Sequence, residues 1–64
     1  MENVIALAEK NLDAYKAKFG EDKEYNEYIE ALNYWKTCVC SNEDFKGRMI
    51  FRLALDVKKH INNN

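Results

Sequence analysis

The chain has no proline and only two glycines, so little in it interrupts a helix. Its apolar residues fall into three runs at helical spacing. In the first, Ile5, Ala8, Leu12, Tyr15 and Phe19 alternate steps of three and four, which keeps them on one helical face. Val4 widens that stripe, and Ala6, Ala8, Ala14 and Ala17 favour the helical backbone. The second run is Tyr25, Tyr28, Leu32, Trp35 and Val39, with Ile29 beside it. The third is Ile50, Leu53, Ala54, Val57 and Ile61, joined by Met49.

The breaks agree with these runs. Gly20 suits the left-handed position just past a helix end. Asp22 can cap a second helix. Ser41 can cap a third, with Asn42, Glu43 and Asp44 after it placing acids in its first turn. The spacing predicts helices over 2–19, 22–40 and 42–61, with 62–64 as a flexible tail. Thr37, Val39 and Cys40 weaken the end of the second helix, because they prefer strand.

The third run carries a competing pattern. Met49, Phe51, Leu53, Leu55 and Val57 alternate with Arg48, Ile50, Arg52, Ala54 and Asp56, as in a half-buried strand. The alternative fold is two helices plus a C-terminal β-hairpin built from 35–40 and 48–57. A lone hairpin is marginal in water, and Leu, Ala, Lys and Arg favour helix. The expected class is therefore all-α: one small domain over 1–64, a three-helix bundle or a helical hairpin plus a third helix, with dimerisation open. Short connections imply antiparallel neighbours. Pairing the second and third helices about Ser41 sets Leu32 near Phe51, Tyr28 near Leu55 and Glu24 near Lys59.

Composition narrows the functional classes. Apolar residues make up 47% and charged residues 33%, a globular balance rather than a disordered one. Sixty-four residues are too few for a Rossmann unit or a TIM barrel. No apolar run approaches the roughly 18 residues of a membrane span, and an acid stands where a signal peptide is basic. A cytoplasmic location is expected, the host cytoplasm if the chain is viral. Eight Asn and eight Lys against two Arg suggest an AT-rich genome, bacterial or phage.

Chemistry-bearing groups are sparse. Cys38 and Cys40 are the only cysteines and His60 the only histidine. Structural zinc needs four ligands, and on a helix the two thiols point about 160° apart. No metal, no cofactor and no catalytic residue is assigned. The plain reading packs Cys38 and Val39 and leaves Cys40 as a thiol near the turn. Tyr25, Tyr28, Tyr34 and Trp35 read as core, except Tyr34, which falls off the stripe.

Charge is uneven at a net −1: residues 21–30 hold five acids and one lysine, and 41–64 hold five bases and three acids. Facing the acidic middle with the basic end would give that asymmetry a purely structural cause. Apolar residues in the third helix exceed one face. Phe51 and Leu55 lie off the main stripe, and Arg48 and Arg52 share a face with Lys59 in line. Arginines and aromatics are enriched at contact hot spots. Arg48, Phe51, Arg52, Leu55 and Tyr34 are thus the candidate partner-binding residues. The plainer alternative pairs Arg52 with Asp56 and leaves Arg48 solvated. The expected function is a non-catalytic protein-interaction module, a regulator or inhibitor of a larger macromolecule, with a homodimer also expected. The alternatives are a dimeric nucleic-acid-binding regulator using the basic third helix, and a self-assembling structural subunit.

Overall fold

Helix ends are decided by local hydrogen bonding. The computed structural model describes residues 2–39 and 42–63. It contains α1 (Glu2–Phe19), α2 (Lys23–Thr37) and α3 (Glu43–Asn63). α1 stops at Gly20, whose φ of 80° is left-handed and whose N–H donates to the Lys16 carbonyl at 2.8 Å. The Asp22 carboxylate caps α2, accepting the Tyr25 N–H at 2.8 Å. α3 is capped by Asn42, whose side chain accepts the Phe45 N–H at 3.0 Å. Ser41, expected to be this cap, and Cys40, expected as a thiol near the turn, lie outside the described residues.

α2 ends earlier than its stripe suggests. It stops at Thr37, and Cys38 is extended, with φ −64° and ψ 126°. The Thr37 hydroxyl donates back to the Asn33 carbonyl at 2.8 Å, a bond that competes with the helical backbone. Lys46 of α3 then takes the loose carbonyls, donating to Lys36 at 3.3 Å and Cys38 at 3.1 Å. A cation from α3 therefore does for α2's end what another helical turn would do. Val39, placed in the α2 stripe by its spacing, is fully exposed, and Cys38 is half-buried.

α3 runs through the alternating segment and two residues past 61, taking in Asn62 and Asn63. Among the described residues there is no strand, so the β-hairpin alternative is wrong. The alternation arose because Phe51 and Leu55 stand on one flank of the helix, beside the inward stripe of Ile50, Leu53, Ala54 and Val57.

The chain forms a three-helix bundle. Asn11 donates to the Ala54 carbonyl at 2.9 Å and Lys18 to the Ile61 carbonyl at 2.8 Å. Both pairs are 43 residues apart, so α1 and α3 run parallel. α2 runs antiparallel to α3: Trp35 meets Phe45 near the connecting turn, while Tyr28 and Glu24 meet His60 at the far end. The core is Ala8, Leu12 and Tyr15 of α1, Leu32 of α2, and Ile50, Ala54 and Val57 of α3. Each large aliphatic side chain so buried stabilises the fold by about 1.5–3 kcal/mol. Ala8 and Ala54 are fully buried on the two parallel helices, where small side chains permit close approach.

The expected α2–α3 register holds at its far end, where Glu24 meets His60 beside the expected Lys59, but α3 turns a different side to α2. Tyr28 lies against His60, not Leu55, and Phe51 and Leu55 do not face α2 at all. α3 packs more extensively on α1 than on α2. That preference rotates α3 so that Ile50, Ala54 and Val57 point inward.

Candidate interaction surface

Two sites stand out once the bundle is assembled, one at a corner and one on α3. At the corner Tyr15 is fully buried, and its hydroxyl donates to both Asp22 carboxylate oxygens at 3.1 and 3.0 Å. The carboxylate that caps α2 thus also holds α1. Around the Tyr15 ring stand Phe19, Tyr25, Tyr28 and His60, with centroids 4.7 to 6.2 Å away. His60 Nδ1 lies 3.4 Å from the Tyr28 hydroxyl and 3.9 Å from the Glu24 carboxylate. Burial, with Asp22's hydrogen bond and charge added, pushes the Tyr15 phenol up to about 12. Burial also raises Tyr28, with the Glu24 charge next in weight. The corner ties three helix ends together. The sequence points to Tyr15 and Tyr28 as core, but nothing local in it places His60 among them.

The other site is the outer side of α3. Arg48, Phe51, Arg52 and Leu55 are all exposed; the two apolar members are 45% and 46% accessible, high values for such side chains. Among the described residues neither guanidinium has a carboxylate within 4.0 Å, so the Arg52–Asp56 pair does not form. Among those residues the one close α2–α3 contact between a basic and an acidic group is His60–Glu24, an ion pair only when the imidazole is protonated, and no arginine or lysine of α3 lies within 4.0 Å of the Glu27 or Glu30 carboxylate. Among the described residues the acidic middle and the basic end come into close contact only at that corner.

Tyr34, 62% exposed, belongs to a different patch. It stands edge-on to Trp35 at 5.1 Å, and Trp35 in turn meets Phe45 at 6.0 Å. This patch lies on the α2–α3 seam. On a helix Phe51 points about 180° from His60, which contacts α2, and about 60° from Ala54, whose carbonyl carries Asn11 of α1. Phe51 and Leu55 therefore flank α1, on the side of α3 away from Tyr34. The five candidate residues are all exposed, but they form two surfaces.

A groove opens between α1 and α2, with a volume of about 150 Å³. Leu12, Ile29 and Leu32 line it together with Tyr25 and Asn33. Glu9 and Asp13 stand along the α1 wall and Lys36 on the α2 wall. Among the described residues no three His, Cys, Asp or Glu side chains are grouped to hold a metal, and no helix is long and apolar enough to cross a membrane.

Fold and surface together define a small all-α three-helix bundle with an uncovered apolar and arginine-bearing helix side. Comparison with protein-family models, with curated proteins and with solved structures finds no match.

Proposed function

We propose that the protein is a non-catalytic interaction module that regulates or inhibits a larger macromolecule through the outer side of α3. The observation behind this reading is the pairing of exposed Phe51 and Leu55 with the un-neutralised Arg48 and Arg52. Apolar side chains set beside arginines supply what contact hot spots use: area that sheds water and a planar, multi-donor cation. The module acts in the cytoplasm in this reading, and the free Cys38 thiol fits a reducing compartment.

Capture from the native host with wild-type protein and with Leu55→Asp tests it. A partner held by the wild type and lost by a folded Leu55→Asp supports the α3 surface. A partner held equally by both places the contact elsewhere. Salt-sensitive retention of duplex DNA would instead favour the nucleic-acid alternative, since phosphate contacts release counterions.

A further inference from the structure

We infer that the outer side of α3 takes a second copy of this chain, seating Phe51 in the α1–α2 groove of the next molecule with Leu55 against its rim. This rests on the reading of α3 as a contact surface and names its occupant. The two surfaces match in spacing. Glu9 and Asp13 are four residues apart along the groove, and Arg48 and Arg52 are four apart along α3. Each step is about 6 Å of helix, so two carboxylate–guanidinium pairs can form in register. Phe51 and Leu55 repeat the same step beside the arginines.

The match extends to charge and volume. Neither Glu9 nor Asp13 has an ion-pair partner within 4.0 Å among the described residues, and neither does either arginine. Both sets are exposed and free to pair. A volume of about 150 Å³ beside Leu12, Ile29 and Leu32 is of the size that accepts one benzene ring, and so the Phe51 side chain. Lys36 on the α2 wall repels the guanidiniums, which leaves the α1 wall as their one favourable side.

Geometry then fixes the kind of assembly. The groove lies on the α1–α2 seam, and Phe51 points away from α2, so donor and acceptor surfaces are different parts of the molecule. Such a contact is heterologous: each copy gives α3 to one neighbour and its groove to another, and the assembly grows head to tail.

The test is the mass in solution of the whole chain by light scattering, from about 10 µM to 1 mM, with and without salt. The wild type should rise above 7.6 kDa with concentration and fall back in about 0.5 M salt. A groove variant, Glu9→Arg with Asp13→Arg, and a patch variant, Leu55→Asp, should each stay monomeric. Mixed, they should form a 1:1 complex that grows no further, because one intact α3 meets one intact groove. Helical circular dichroism confirms folding; if a variant loses helicity, Asp13→Arg and Arg52→Glu alone carry the same test. A wild type that stays monomeric at every concentration overturns the inference while leaving a foreign partner for α3 intact. A groove variant that still self-associates, or a mixture that forms no complex, also overturns it.

Discussion

Tyr15→Phe isolates one interaction that the fold brings together. The phenyl ring keeps the packing against Phe19, Tyr25, Tyr28 and His60, so only the hydroxyl and its two contacts to Asp22 are lost. A hydrogen bond to a charged acceptor contributes about 1.5–3 kcal/mol. Asp22 is exposed and water can replace the donor, so the cost should sit at the low end, about 1.5 kcal/mol. In a domain this small each kcal/mol moves Tm by about 4–8 °C, so the variant should melt about 6–12 °C lower. Thermal denaturation followed by circular dichroism reads this directly. Asp22→Ala removes the same bond and the α2 cap together, so the double variant should fall short of additivity by about 1 kcal/mol. A Tyr15→Phe variant that melts with the wild type, or a pair that adds fully, would refute the claim that this bond holds α1 to α2.

Alkaline pH gives an independent reading of the same corner: folding raises the Tyr15 phenol from 10.0 to about 12, so the fold favours the protonated form. Stability from this group is complete below pH 10 and is lost as pH climbs toward 12; denaturation midpoints should fall across that window, less steeply in Tyr15→Phe. Ala54→Leu adds bulk where α1 and α3 meet at a fully buried position, and should cost about 1–3 kcal/mol in denaturant melts. Lys46→Met removes the ammonium bonded to the Lys36 and Cys38 carbonyls; it should lower stability by about 1 kcal/mol and speed amide exchange in the last turn of α2. Leu55→Asp changes a half-exposed position and should shift stability by less than about 1 kcal/mol, with an unchanged helical spectrum; unfolding would show that Leu55 belongs to the core.

Much of the bundle is written in local spacing. The steps through Ile5, Ala8, Leu12, Tyr15 and Phe19 set a helix and its inward face at once, because side chains three or four apart share a side whatever the rest of the chain does. The same holds for Leu32 and for Ile50, Ala54 and Val57, all of them buried as their period requires. Gly20 and Asp22 mark their boundary for equally local reasons, a left-handed backbone and a carboxylate within reach of the Tyr25 N–H. The exposure of Tyr34 also follows from period, since it lies off the main stripe of α2.

What needed the tertiary structure is every contact that joins residues distant in the chain. Spacing fixes which side of a helix is apolar but not which neighbour covers it, because the two flanks of α3 are alike in hydrophobicity. Packing decided that α1 takes Ala54 through a parallel approach, that His60 and not Leu55 meets Tyr28, and that Lys46 bonds the Lys36 and Cys38 carbonyls at the end of α2. The same rotation of α3 parted Tyr34 from Phe51 and left the groove on the opposite seam, where among the described residues Glu9 and Asp13 make no ion pair within 4.0 Å. These outcomes depend on side-chain volumes and hydrogen bonds summed over three helices at once, a quantity that no single helix carries in its own sequence.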